Sequence, residues 1–132
     1  MPMSAWLALQ MPEKENYDVA LRRCFAPQGD PSMGARLLQS LRPWLHSRGS
    51  VDFVELLPLL ESVLAQDELP APVMAAVALA AADLHGNRNL RRCLECSQRA
   101  LELFRDLGDE LGYAHALERL GGAPGRVRRV AL

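Results

Sequence analysis

Leu90, Cys93, Leu94, Ser97, Ala100, Leu101 and Phe104 recur at intervals of three and four along one stretch of chain. Arg91, Arg92, Glu95, Gln98, Arg99, Glu102 and Arg105 fill the positions between them. An α-helix turns once in about 3.6 residues, so this spacing gathers the small and apolar residues on one side and the charges on the other. Such a helix has to hide its stripe against a neighbour. The same spacing returns in five further segments separated by Pro and Gly, and no period-two alternation survives anywhere, so the chain is expected to be all-α.

The segments predict six helices. The first covers 13–25, with Tyr17, Ala20, Leu21 and Cys24 on one face, and Pro27-Gln28-Gly29 ends it. Asp30-Pro31 reads as an N-cap followed by Pro at the first helical position, where a missing N–H costs nothing. The second helix then runs to 47 and buries Gly34, Leu37, Leu38, Leu41, Trp44 and Leu45, with a kink or local break expected at Pro43. Arg48-Gly49 should close it. The third covers 51–66, capped by Ser50, and Pro58 suggests that its regular part begins near Leu57. The fourth, 72–85, is so nearly apolar throughout that it should be covered on several sides. The fifth covers 88–107. Leu107-Gly108 ends it, and Asp109 caps a sixth over 110–120 with Tyr113, Ala116, Leu117 and Leu120 inward. Short turns between these helices imply stacked antiparallel hairpins. Residues 1–12 read as a lead-in segment, 13–120 as one helical domain and 121–132 as a flexible basic tail.

A chain of 132 residues can bury such a core without staples. Aromatics are only 5% of it, so Ala and Leu supply most of the apolar surface, which suits close helix packing. The formal charge of -1 argues against a nucleic-acid footprint over the whole domain. Three cysteines, an odd number, argue against a complete disulfide framework. No signal peptide is recognisable, and the longest apolar run, 71–82, falls short of the roughly 20 residues a membrane helix needs. A cytoplasmic protein is expected.

Ala81, then Cys93 and Ala100 seven residues apart, put small side chains where two helices of a tetratricopeptide unit cross. The run 100–109 leads into 111–117 in the manner of one repeat passing to the next. These features resemble the tetratricopeptide-like arrays of large bacterial multidomain transcriptional regulators. Those proteins also carry a winged-helix or other DNA-binding domain and a switch domain of the signal-transduction ATPase class. Trp6-Leu7, Glu13, Asn16, Ala20 and Leu21 look like the junction where such an array begins. Gly29-Asp30, the 37–45 stretch with Trp44, and Arg48-Gly49 look like its next hairpin. The likeness spans about Trp6 to Gly122 and implies a stacked-hairpin fold with a protein-binding role. No G-x-x-x-x-G-K-[ST] phosphate loop is present, so ATPase activity is not implied. With about one full repeat, the chain resembles a detached or truncated piece of the array.

No catalytic, cofactor or metal set emerges from the residues. Cys93 and Cys96 form a C-x-x-C, but no second pair at zinc spacing completes four ligands, so Cys93 reads as a small core residue. His46, His85 and His115 are scattered. His85 lies near a helix C-terminus, where it would favour the helix dipole. Arg88, Arg91 and Arg92 could meet an acidic partner, although interleaved Glu95, Glu102 and Asp106 suggest a mixed solvated face. Arg126, Arg128 and Arg129 make a basic tail too sparse to imply nucleic acid. Trp44 and Tyr113 are candidate partner-binding anchors that also lie on predicted buried stripes.

The expected function is therefore a protein–protein interaction module of a bacterial regulatory system, with no catalysis. Its partner would be another protein or a second copy, and a homo-oligomer is expected because the ends of a short stack remain apolar. Effector sensing by the array and a small chaperone role are the alternatives.

Overall fold

The computed structural model describes residues 14–45, 53–66, 68–86 and 88–121. The lead-in segment, His46 and the expected end of the second helix at 47, Arg48-Gly49, the Ser50 cap and the basic tail from 122 onward lie outside these residues, whereas Gly121, expected to open the tail, is the last residue of a helix. Among the described residues, six α-helices follow one another, α1 Lys14–Cys24, α2 Pro31–Ser40, α3 Leu57–Gln66, α4 Ala71–His85, α5 Leu90–Leu107 and α6 Glu110–Gly121, and residues 42–45 are also helical. A 3-10 turn, Val54–Leu56, leads into α3. No strand occurs among the described residues, and the fold is all-α.

The local signals act as their chemistry requires. Asp30 Oδ1 accepts from the Met33 amide at 3.2 Å and Pro31 opens α2. Asp109 Oδ1 accepts from the Gly112 amide at 2.9 Å and starts α6. Gly108 ends α5 with φ 74°, a left-handed conformation that favours glycine. Pro43 breaks the second helix as expected: α2 stops at Ser40 and residues 42–45 are helical again. Pro58 likewise confines regular winding to Leu57 onward. The start of α5 differs from its expected position at 88. Asn89 Oδ1 accepts from the Arg92 amide at 3.2 Å, and this cap moves the first helical residue to Leu90.

The core forms around α4. Every residue of α4 from Val73 to His85 is buried, and α4 packs on α2, α3 and α5, with a smaller contact to α6. Its many alanines allow this, because short side chains let several helices approach one rod closely. Fully buried Trp44, Phe53, Leu56, Leu60 and Leu84 fill the wider spaces, and Trp44 and Phe53 meet with ring centroids 5.5 Å apart. The α5–α6 packing is so close that a Cβ on Gly112 would fall 2.4 Å from the Phe104 ring. Leu90 departs from its predicted inward position and is 50% exposed, since it occupies the first turn of α5.

Candidate functional site

An apolar cleft of about 300 Å³ opens between the α2 region, α4 and the start of α6. Leu38, Leu45, Ala76, Leu79, Ala80 and Phe104 line its buried part, and Gln39, Arg42, Asp109 and His115 bring polar groups to it. Leu111 also lines it and is 68% exposed, which is a large apolar side chain left in water. Phe104 and Asp109 also line an adjacent depression beside Tyr113, so the concave surface continues around the α5–α6 turn.

Arg42 of the cleft lining bonds to Asp83, which fixes the surrounding helices. The Asp83 side chain is fully buried in α4, whose residues are nearly all apolar. Arg42 Nε donates to Oδ2 at 2.9 Å, and Arg119 Nε and Nη2 both reach Oδ1 at 2.9 Å. One carboxylate thereby ties the segment after α2 and the end of α6 to α4. A buried charge is tolerated only with such partners.

A second polar cluster joins α3, α4 and α5. Glu61 of α3 accepts from Arg92 Nη2, at 2.8 Å on Oε1 and 2.6 Å on Oε2. His85 Nε2 lies 3.4 Å from Glu61 Oε1, and the Cys96 thiol donates toward the same oxygen at 3.9 Å. Burial alone would raise the Glu61 carboxyl, but the hydrogen bonds and charges of Arg92 and His85 outweigh it and hold Glu61 below its ordinary value. Burial pushes the Cys96 thiol up to about 11, against the pull of Arg92. Burial likewise raises Cys93 and Cys24.

The residues singled out by sequence do not converge on one site. Trp44 is 1% exposed and packs in the core, so it is not a surface anchor. Tyr113 is half-buried beside the depression that adjoins the cleft. Arg88 and Arg91 are exposed on the α5 end of the molecule. Arg92 is engaged by Glu61 and Glu95, which makes it a link between helices and not part of a free basic strip. His85 joins the Glu61 cluster, an interaction beyond the dipole contact expected for it. Sequence reasoning missed Asp83 and Glu61. Asp83 carried a usable signal, being an acid within an apolar run, whereas nothing in the spacing marked Glu61.

Comparison with protein-family models, with curated proteins and with solved structures finds no match for this chain. No helix among the described residues is long and apolar enough to cross a membrane.

Proposed function

We propose that this chain is a protein–protein interaction module that docks an apolar polypeptide segment in the cleft between α2, α4 and α6. The observation that carries the reading is Leu111, an exposed leucine at the mouth of a preformed apolar concavity with a polar rim. Binding surfaces commonly combine an apolar centre with surrounding polar groups. The continuation of the concavity past Phe104 toward Tyr113 favours an extended partner over a compact molecule. The resemblance to tetratricopeptide-like arrays supports a regulatory setting in a bacterial cytoplasm, with a neighbouring domain or a second copy as the partner.

Non-catalytic work agrees with the nucleophile chemistry. All three thiols are raised, which lowers their thiolate fraction at neutral pH. The Ser97 hydroxyl is fully buried and donates to the Cys93 carbonyl at 2.7 Å.

Peptide-display selection against the full chain tests this role. Selected sequences should carry apolar residues at helical spacing and lose binding to a Leu111→Lys variant while retaining it with Arg91→Glu. Selection of no peptide, or of peptides indifferent to Leu111→Lys, overturns it. Effector sensing is the second reading, favoured by the cleft volume, which sits at the lower edge of the roughly 300–1,000 Å³ that small ligands occupy. A thermal-shift screen of small metabolites separates the two.

A further inference from the structure

Glu61, His85 and Cys96 come from three different helices and from positions 24 and 11 residues apart, yet their ligand-capable atoms all lie within 4.8 Å of one another. We infer that these three side chains form a binding site for a divalent transition-metal ion of zinc type, with Glu61 Oε1, His85 Nε2 and Cys96 Sγ as ligands.

The geometry supports this set over the C-x-x-C motif. Zinc binds nitrogen and carboxylate oxygen at about 2.0–2.2 Å and thiolate sulfur at about 2.3 Å. Tetrahedral angles then separate nitrogen from oxygen by about 3.4 Å and sulfur from oxygen by about 3.6 Å. The corresponding distances here are 3.4 Å and 3.9 Å. The His85 and Cys96 ligand atoms lie within 4.8 Å, so side-chain movements of up to about 1 Å close the shell, and Cys93 is not among the residues that converge. Three protein ligands leave a fourth position of the tetrahedron for water. A donor set of one thiol, one imidazole and one carboxylate selects zinc, cobalt and their neighbours over magnesium or calcium.

The surroundings admit an ion from solvent but set the Arg92 cation beside it. The Glu61 side chain is 34% exposed, which gives an ion a path from solvent, while Cys96 is 2% exposed. Arg92 Nη2 donates to both carboxylate oxygens, at 2.8 Å to Oε1 and 2.6 Å to Oε2, so loading requires it to give up the first bond and keep the second while Oε1 turns to the ion. That bond would orient the ligating carboxylate, as outer partners of metal ligands commonly do. The thiol loses its proton when sulfur coordinates, so one divalent ion enters and one proton leaves, with no change of oxidation state. A bound ion would tie α3, α4 and α5 together on the side of α4 that contacts Glu61.

Titration of the reduced, chelator-treated full chain with Co²⁺, followed by Zn²⁺, tests the site. One Co²⁺ per chain should bind with a thiolate-to-cobalt charge-transfer band and tetrahedral visible bands, both removed by Zn²⁺, and Zn²⁺ should raise the melting temperature. Cys96→Ser should remove the charge-transfer band, His85→Ala should weaken binding by more than about tenfold, and Cys93→Ala should leave both intact. Circular dichroism of each metal-free variant shows whether it is folded. If Cys96→Ser or His85→Ala unfolds, Glu61→Gln decides, because it alters a partly exposed ligand: weakened binding upholds the site and unchanged binding overturns it. Absence of the thiolate band in the natural sequence, its survival in Cys96→Ser, or its loss in folded Cys93→Ala also overturns the site.

Discussion

Replacing Asp83 with alanine should destabilise the protein more than any other single change to a polar residue described above. The carboxylate is fully buried and takes charged N–H groups from Arg42 and Arg119. Removing one partner from a buried ion pair costs about 3–5 kcal/mol, because the remaining charge is left without compensation. Here the two guanidiniums keep 14% and 19% exposure and can partly rehydrate, which places the cost near the lower end, about 3 kcal/mol. For a domain of this size, ~1 kcal/mol moves the melting temperature by about 4 °C, so a fall of about 12 °C is expected. Urea denaturation should show a lower midpoint with an unchanged slope. Exchanging the whole cluster, with Asp83→Leu, Arg42→Met and Arg119→Met together, should recover most of the loss, since apolar replacements of buried ion clusters are often neutral or stabilising. A loss under about 1 kcal/mol in Asp83→Ala would refute the tie between the helices, as would a triple variant no more stable than the single one.

Gly112→Ala puts a Cβ 2.4–2.7 Å from three atoms of the Phe104 ring and should cost about 1–3 kcal/mol, read by thermal denaturation. Because burial raises Cys96 from 9.0 to about 11, the folded state favours the neutral thiol. That contribution is fully present below pH 9.0 and is lost as pH rises toward about 11; Cys96→Ala should remove this alkaline slope from urea midpoints measured across that range. Glu61 is held below its ordinary value, so its contribution is present above the usual carboxylate range and is lost as pH falls through its lowered value; Glu61→Gln should flatten acid unfolding there. Light scattering after size-exclusion chromatography should give a mass above that of a single chain at micromolar concentration, and Leu111→Lys should move it toward the monomer.

The helices were legible in the sequence because their signals are local. The 3.6-residue stripe, the Asp30 and Asp109 caps, the left-handed Gly108 and the two proline breaks depend on neighbours only a few positions away. The covered state of α4 was equally readable, since almost no polar residue interrupts it. The Asn89 cap was missed because an apolar pattern says little about which residue begins it. The polar clusters were illegible for a different reason. Asp83 meets Arg42 and Arg119 across separations of 41 and 36 residues, and Glu61 meets Arg92 across 31. Such pairings follow from which helix lies beside which, and α2 packing on α4 is set by the assembled core and not by any short motif. The cleft shares that origin, as its lining comes from five helical segments.

Docking in the cleft is tested most directly by titrating a selected apolar helical peptide onto the isotopically labelled full chain and following its amide resonances. Residues of the cleft wall and mouth, Ala76, Leu79, Ala80, Leu111 and Gly112, should shift together and saturate at one peptide per chain. Shifts centred instead on the outer side of α5, around Leu94 and Gln98, would contradict the assignment of the cleft as the docking surface.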